Sequence, residues 1–378
     1  NKKTQLYFFM NLIINFYFPS IEKGGLEKNV FSLINSLAEK KYKINFFTYE
    51  NNTGIKDFKK KFYFHKDINI ITAKFIPGVT NRYIKYLFCF IRLLTKLIYQ
   101  KGIIVSFQGN VLPIVVAKIM CRKIIIRCNT APSKYINNSY KKLFFGFFYS
   151  FADLILVTTK DFKKEIKKYF NLQSVVHRQS LDIEGIKKKS KVKINFNFFK
   201  KFDGLKIINI GRLTYQKNQM TLLKAFAKLI KFRKAKLLLL GSGSDKDQLK
   251  NYINKKKLAK YIKIIPYASN PFKYISLSDV KVLSSRFEGS PNILLETACL
   301  KKLIISSDCK VGPRETLQSG KGGILFKVED YNQLFLILKN VNLRTTLNKK
   351  KIEETYKYIK KNYQKDISTT FIKELRKL

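Results

Sequence analysis

Two glutamates, Glu288 and Glu296, lie in the stretch VLSSRFEGSPNILLE (residues 282–296), which contains a glycine turn at 286–289. Carboxylates accept hydrogen bonds from the hydroxyl groups of a sugar, whereas they repel a phosphate placed beside them. Acids on either side of a turn that can hold phosphate therefore suit a ligand that also contains a sugar. The alternative is a capped helix with two solvated glutamates, and these residues alone leave both interpretations open.

The residues around this turn predict the elements that position the two acids. The apolar run that ends in Ser284-Ser285 predicts a buried parallel strand. Ser290-Pro291 predicts an N-cap and a first helical residue, and the apolar helix continues to Cys299. A strand that runs through a glycine turn into a helix leaves backbone N–H groups and the positive end of the helix dipole facing outward, which favours phosphate.

An arginine and a lysine form a second candidate group in GRLTYQKN, residues 211–218. Arg212 offers a planar bidentate guanidinium and Lys217 a point charge, so the two can hold one anion from two directions. Because a pyrophosphate leaving group gains negative charge as its bond to carbon breaks, cations here would stabilise the transition state more than the ground state. An ordinary solvated loop is the alternative.

The N-terminal region repeats this arrangement of strand, glycine loop and helix. Residues 12–18 predict a strand, followed by a loop that ends in Gly24-Gly25, a helix at 26–40 and a strand at 44–49. A β-α-β unit implies a parallel sheet. The two glycines allow the backbone to approach a ligand closely, although glycine turns are common without any ligand.

The composition is that of a folded protein of more than one domain. The chain has 378 residues, 46% of them apolar, and no apolar run of the roughly 18 residues that a spanning helix needs. Its five cysteines are far apart, without a C-x-x-C pair or a histidine cluster. This pattern favours reduced thiols in a cytoplasm and argues against structural zinc. Residues 1–9, before Met10, are expected to be an extension beyond the domain core or a non-native addition.

The net charge of +50, from 75 Lys and Arg against 25 Asp and Glu, predicts attraction to polyanions: nucleic acid, anionic lipid or a phosphorylated substrate. The charges are spread along the whole chain, and the abundance of Lys, Asn, Ile and Phe together is typical of an A/T-rich genome. Residues 82–101 and 140–152 are helical patterns that combine basic and aromatic residues, which suits a membrane interface. Helices packed on a sheet with their lysines in water are the alternative.

Strands and helices alternate in two regions, separated by a segment rich in lysine and asparagine. We expect an N-terminal Rossmann-like domain at 1–185, a linker at 186–203, a second Rossmann-like domain at 204–350, and C-terminal helices at 351–378 that pack back on the first domain. The fold class is therefore α/β, with two doubly wound parallel sheets. A cleft between two such domains is a favoured ligand site.

Four blocks of the second region resemble the C-terminal domain of the retaining glycosyltransferases of group 1, also called family 4. They are GRLTYQKNQMTLLKAF, LLLLGSGSDKDQL, SSRFEGSPNILLE and SSDCKVGPRETL, and the N-terminal FYFPSIEKGGLEKNV resembles the glycine loop of the same family. The order and spacing of the blocks make the match specific. The resemblance implies the GT-B fold, in which two Rossmann-like domains face a central cleft.

The resemblance also implies an activity: transfer of a hexose or N-acetylhexosamine from a nucleotide-diphosphate sugar, UDP favoured, with retention at the anomeric carbon. Arg212 and Lys217 would bind the diphosphate, Glu288 would contact the sugar and Glu296 the ribose. Further donor contacts would come from Gly24, Gly25, Gly211, Gly289, Ser290, Pro291, Asn292 and Ile293. No cofactor or metal is expected, because the cations would neutralise the leaving group and the departing phosphate would act as the base.

The acceptor side departs from the pattern of the family. Many relatives carry a histidine at the strand end that faces the acceptor, whereas this chain has Arg127 and Asn129 in that region. His177 stands where many relatives have Asn-Pro, and we interpret it as structural. Asp245 and Asp247 match an Asp-x-Asp metal motif, but acids are also favoured at the start of a helix, so no metal is expected there.

These expectations describe a cytoplasmic enzyme at the inner face of the cell membrane that synthesises cell-surface polysaccharide or lipopolysaccharide. Its acceptor would be a glycan or a saccharide linked to polyprenyl diphosphate. A basic nucleic-acid-binding protein is one alternative, although its charges would be clustered on one surface with stacking aromatics. A GT-B scaffold without activity is another.

Overall fold

The structure is a computed structural model that describes residues 12–21, 25–50, 64–73, 79, 81–364 and 366–378. The chain divides into two compact units. Residues 1–180 and 365–378 form the first unit, and residues 181–364 form the second. Each unit is built on one parallel sheet, which confirms the α/β class predicted from the sequence. Residues 1–9 and Gly24 lie outside the described residues.

The strands and helices alternate along the chain. The strands are β1 (Ile13–Tyr17), β2 (Lys43–Thr48), β3 (Ile68–Thr72), β4 (Ile103–Ser106), β5 (Ile124–Arg127), β6 (Leu154–Val157), β7 (Val175–Val176), β8 (Leu205–Ile210), β9 (Ala235–Leu240), β10 (Ile262–Ile265), β11 (Val280–Leu283), β12 (Leu303–Ser307) and β13 (Ile324–Phe326). The helices are α1 (Gly25–Glu39), α2 (Arg82–Tyr99), α3 (Val111–Ile119), α4 (Ser139–Ser150), α5 (Lys160–Phe170), α6 (Ile183–Ser190), α7 (Gln219–Leu229), α8 (Lys246–Lys255), α9 (Phe272–Ser276), α10 (Asn292–Cys299), α11 (Pro313–Thr316), α12 (Tyr331–Asn340), α13 (Thr346–Tyr363) and α14 (Ile367–Leu375).

Both sheets have the strand order of the doubly wound fold. The first is β3-β2-β1-β4-β5-β6-β7 and the second is β10-β9-β8-β11-β12-β13. In each sheet the order reverses beside its first strand in the sequence, between β1 and β4 and between β8 and β11. Ligands of such sheets bind outside the carboxyl ends of the strands at this reversal, so the loops that follow β8 and β11 are where a site is expected.

The apolar spacing of each helix explains where it packs. Helix α1 buries Val30, Leu33, Ile34 and Leu37, which recur at helical spacing, against Phe16 and Phe46 of the first sheet. Helix α14 adds three apolar side chains to the same core, from Ile367, Phe371 and Leu375. The second sheet is covered on both faces, as the near-continuous apolar runs of its strands predict.

The domain boundary lies before Leu181 and not at residue 185 as the sequence predicted. The expected linker at 186–203 belongs to the second unit, because it starts within α6 and its residues Ile186 and Phe199 are buried in that unit's core. A long lysine-rich segment that buries few side chains shows little apolar periodicity, which explains the error. Of the C-terminal segment, α13 belongs to the second unit and α14 to the first.

His177, just after β7, holds α14 in the first unit. Its Nδ1 is 3.0 Å from Nη1 of Arg127, and its Nε2 is 3.1 Å from the backbone oxygen of Ile367. Because a guanidinium can only donate, Nδ1 accepts and Nε2 carries the proton. Burial and the charge of Arg127 lower the pKa of His177 to about 3, so the ring is neutral in the folded protein. The interpretation of His177 as a structural residue fits these contacts.

We expect His177 to make the protein less stable as the pH falls below about 6.5, the pKa of histidine in an unfolded chain. Between this value and the folded-state pKa of about 3, the unfolded chain binds a proton that the folded protein does not. Each pH unit costs about 1.4 kcal/mol, which gives roughly 2 kcal/mol at pH 5. Urea unfolding of the wild type and His177→Gln at about pH 7 and pH 5 measures this. The same loss in both proteins would contradict the assignment.

Candidate functional site

The predicted cations and Glu288 meet at the carboxyl edge of the second sheet. β8 leads into the loop 211–218 and its neighbour β11 leads into the turn 284–291. Two hydrogen bonds join loop and turn: Arg286 N donates to Gln216 O (2.9 Å) and Gln216 Nε2 donates to Phe287 O (3.1 Å). Side chains that are 71 positions apart in the sequence are therefore brought into contact.

Lys217 and Glu288 form an ion pair, with 2.6 Å between Nζ and Oε1. Their side chains are only 16% and 5% exposed. Ser285 Oγ donates to the same carboxylate oxygen, and Ser284 Oγ donates to the backbone oxygen of Lys217 (3.1 Å). Among the described residues, the ammonium uses one of its three donors, so it can bind an anion while it stays paired.

Arg212 remains exposed at the other end of the same loop. Among the described residues, its Nη2 makes only a long contact of 3.5 Å with Gln216 Oε1, whereas its backbone oxygen accepts a 3.0 Å hydrogen bond from Gln219 Nε2. The backbone is thus fixed and the guanidinium can reorient towards a ligand. Gly211 precedes it at the end of β8, where a Cβ would lie 3.6 Å from the side chain of Lys217.

The turn after β11 is supported from the next strand. Ser307 Oγ and Cys309 Sγ both donate to the backbone oxygen of Ser285, at 2.6 and 3.1 Å. Gly312 has φ +94°, and a Cβ on it would lie 2.5 Å from the backbone oxygen of Gly289. The backbone at Gly312 therefore touches the turn directly, which requires glycine.

Helix α10 begins at Asn292, one residue later than the sequence predicted. Pro291 is the N-cap and not the first helical residue, with φ −72° and ψ 94°, and its own side chain makes no capping hydrogen bond. Ser290, Asn292 and Ile293 are half-buried, and Glu296 is buried on the helix. The helix therefore starts directly after the turn that carries Glu288.

Three residues of the site were missed by the sequence analysis. Gln216 and Ser285 carry the hydrogen bonds described above, and Arg286 stacks 3.9 Å above the ring of Tyr215 and pairs with Glu329 at 2.7 Å. Arg286 and Ser285 stand within the SSRFEG block, so their position was visible but their partners were not. The contacts depend on which loops the sheet order brings together.

The candidates of the first unit lie around the ends of β1, β4 and β5. Gly25 begins α1. Asn129 Nδ2 donates to the backbone oxygen of Phe107 at 2.8 Å. Arg127 is not at the surface: it is 1% exposed, its guanidinium lies 5.5 Å from the centre of the Phe107 ring, and burial lowers its pKa to about 10. The expectation that its side chain faces an acceptor is therefore wrong for this conformation, because it points into the core towards His177.

The Asp-x-Asp sequence lies at the start of α8, as predicted. Asp245 is the N-cap and Asp247 falls in the first turn. Across the described parts of the chain, no three His, Cys, Asp or Glu side chains are grouped so that they could hold a metal ion.

Comparison with protein families assigns the second unit to a known family. Residues 191–364 match the model of the family "Glycosyl transferases group 1". The second unit belongs to the group 1 glycosyltransferases. An uncharacterized glycosyltransferase of Methanocaldococcus jannaschii is 36% identical over 204 residues, which cover 50% of this chain and 48% of that protein.

A relative with a described activity comes from Campylobacter jejuni. It is an N-acetylgalactosamine-N,N'-diacetylbacillosaminyl-diphospho-undecaprenol 4-alpha-N-acetylgalactosaminyltransferase, 28% identical over 62% of this chain and 63% of its own length. The chain thus spans about half to two thirds of the length of these two relatives.

Solved structures extend the likeness to the whole chain and show the fold. Anabaena Alr3699/HepE in complex with UDP has a TM-score of 0.78 at 13% identity, over 97% of this chain and 100% of that one. A glycosyltransferase of Rickettsia africae has the same TM-score at 17% identity, over 97% and 98% of the two chains. The chain has the GT-B fold, which confirms the predicted fold class.

We expect Gly312→Ala to destabilise the group 1 unit by about 2 kcal/mol more than Gly320→Ala. Both glycines have positive φ, +94° and +96°, but a Cβ at Gly320 meets nothing within 4 Å, whereas at Gly312 it collides with Gly289. Comparison of the two variants separates the effect of backbone strain from the effect of a collision with the turn. Urea unfolding of the two variants measures the difference, and equal losses would show that Gly312 does not support the turn.

Proposed function

We propose that the chain is a retaining glycosyltransferase that moves a hexose or N-acetylhexosamine from a nucleotide-diphosphate sugar, most favourably a UDP-sugar, to a glycan or lipid-linked saccharide without a metal. The Lys217–Glu288 pair beside Arg212 at the strand-order reversal carries the proposal. The UDP bound to Anabaena HepE and the diphospho-undecaprenol acceptor in the name of the Campylobacter relative support the donor and acceptor classes.

In this proposal the diphosphate binds between Lys217 and Arg212, with backbone N–H groups of Gly289, Ser290 and Asn292 as further donors. The bond from the anomeric carbon to the leaving oxygen breaks, and the diphosphate gains a full negative charge there. Lys217 is already held by Glu288, and the Arg212 guanidinium can turn towards the diphosphate, so the two cations would stabilise this charge. They would thus do the work that a divalent cation does in other transferases.

Glu288 would lie near the anomeric carbon, whose charge changes in the opposite direction. The anomeric carbon becomes positive as the leaving group departs, and a carboxylate held by Lys217 and Ser285 would stabilise it. Its second oxygen can accept a hydrogen bond from a sugar hydroxyl. The acceptor would attack from the face that the diphosphate leaves, and give its proton to the departing phosphate, so that configuration is retained. Glu296 would hold the ribose.

On the acceptor side we propose Asn129, with Arg127 beneath it. The side chain of Arg127 is enclosed, so it would act only by holding the strand end, through its 3.0 Å contact with His177. Gly25 and its neighbour Gly24 stay proposed donor residues.

Removing the exposed cation should affect the reaction and leave the fold intact. We expect Arg212→Ala to lower turnover by roughly 10²–10³, because one charge-assisted contact to the leaving group is lost. Arg344→Ala, which removes an exposed arginine of the same unit, is the matched control. Turnover of a UDP-sugar by both variants gives the comparison. Wild-type turnover in a folded Arg212→Ala protein would remove Arg212 from the mechanism.

A nucleotide screen tests the proposed function. UDP, GDP and ADP are added to the full chain, and the thermal midpoint is measured. A ligand at 100 times its Kd stabilises by about 2.7 kcal/mol, which is a shift of several degrees. We expect one nucleotide class to stabilise the wild type and to lose most of its effect in Glu296→Ala. Stabilisation by RNA but by no nucleotide diphosphate would contradict the proposal and favour a nucleic-acid-binding protein.

We also propose that the protein acts in the cytoplasm at the inner face of the cell membrane, with α4 as a contact. Within the described residues, no helix is both long enough and apolar enough to cross a bilayer. Along α4, Tyr140, Leu143 and Phe147 are exposed at helical spacing, and Leu143 and Phe147 are 75% and 57% exposed. Lys141 and Lys142 stand beside them. Exposed apolar and basic residues on one helix favour binding to anionic lipid.

Flotation with liposomes tests this contact. We expect the wild type to float with vesicles that contain anionic lipid and the double variant Leu143→Glu, Phe147→Glu to float less, because it loses apolar area and adds repulsion. Leu336→Glu, at a 53% exposed leucine of the second unit, is the control and should float like the wild type. Equal flotation of all three proteins would remove α4 from the interface.

A further inference from the structure

A lysine is buried within the second sheet, behind the proposed donor site. Lys281 is the second residue of β11 and is 0% exposed. Its partners in register are Ile208 of β8 and Ile304 of β12, both fully or almost fully buried. This face of the sheet is covered by apolar residues of α10, among them Leu294 and Leu295. A lysine is the one polar side chain in this row of three.

The side chain of Lys281 points towards the site. Its Nζ lies 3.4 Å from the backbone oxygen of Ile210, two residues along β8 from the residue with which Lys281 is in register. Ile210 ends β8, and the loop that carries Arg212 and Lys217 follows. Among the described residues, this long hydrogen bond is the only one that the amine makes, and no carboxylate is within ion-pair distance of it.

Three charged side chains face this amine from the surrounding elements. They are Lys217 from the loop after β8, Glu288 from the turn after β11 and Glu296 from α10. Burial and Lys217 lower the pKa of Lys281 well below 10.5, and the two glutamates oppose this only in part. Without a ligand, the amine therefore releases its proton more readily than an ordinary lysine.

We propose that Lys281 is a positioning residue for the donor: its amine takes up a proton from solvent when a nucleoside diphosphate binds next to Lys217, and the ammonium then holds the diphosphate from behind. The inference rests on the proposed function. A diphosphate brings negative charge close to a poorly solvated amine, and this favours the charged form. The proton returns to solvent when the nucleotide leaves.

Such coupling makes donor binding depend on pH. Because the bound form carries one more proton than the free form, affinity for the nucleotide falls as the pH rises through the range in which free Lys281 is neutral. The aliphatic stem of Lys281 alone would fill the same space and give no such dependence. A methionine has a similar length and cannot take up a proton, so Lys281→Met separates the two roles.

Isothermal titration of UDP into the full chain at about pH 8.5 tests the proposal, because the terminal phosphate of UDP, with a pKa of about 6, is ionised there. The titration is made in Tris and in Bicine, two buffers that differ in ionisation enthalpy. A proton that the protein takes up is released by the buffer, so the difference between the binding heats in the two buffers gives the number of protons taken up.

Lys302→Met is the matched control. Lys302 is a partly buried lysine whose pKa is also lowered by burial, but its Nζ donates to Ser276 O at 2.8 Å and its charged neighbours are Asp279 and Lys206.

We expect the wild type and Lys302→Met to take up a proton with UDP, and Lys281→Met to bind more weakly and take up none. Lys281→Arg, whose guanidinium keeps its charge at about pH 8.5, should bind UDP without proton uptake and covers the case in which the methionine variant does not fold. Binding without proton uptake by the wild type, or equal uptake by Lys281→Met, would overturn this inference alone. If UDP does not bind, the nucleotide that stabilises the protein replaces it; if no nucleoside diphosphate binds, the proposed function fails and the inference with it.

Discussion

The ion pair between Lys217 and Glu288 holds the candidate site together. It joins the loop after β8 to the turn after β11, and both side chains are largely shielded from water. Removing one partner of such a pair leaves a poorly solvated charge, which is far more costly than loss of an exposed pair. The surrounding contacts serve this geometry: Gln216 ties the loop to the turn, while Ser307 and Gly312 fix the turn from the adjacent strand.

The same strand order has different consequences in the two units. In the second, the reversal between β8 and β11 brings opposite charges together at the edge, where a ligand can reach them. In the first, Gln108 bridges the end of β4 to Ser20 after β1 with two hydrogen bonds, of 3.0 and 2.8 Å. In the first unit, Arg127 points inward to a neutral histidine, whereas in the second unit Arg212 keeps its guanidinium in water.

Much of the fold could be predicted because parallel strands that are buried on both faces appear in the sequence as short apolar runs. Very short strands are harder to predict: β7 has two residues and β13 three, which is too short for a period to show. Of the site, Arg212, Lys217 and Glu288 could be predicted because their types follow strands at one sheet edge. Their pairing could not, since it depends on which strands are neighbours. The inward direction of the Arg127 side chain could not be predicted either, because the sequence does not distinguish a charged residue at a strand end that faces water from one that faces the core.

In the proposed site, Lys217 binds the diphosphate of the donor while Glu288 holds the Lys217 side chain in place. Titration of UDP into Lys217→Met, compared with the wild type, tests this directly. One charge-assisted hydrogen bond to phosphate contributes about 1.5–3 kcal/mol, so the affinity should fall by at least roughly tenfold. A folded Lys217→Met protein that binds UDP as tightly as the wild type would show that the diphosphate lies elsewhere, and that the pair only stabilises the fold.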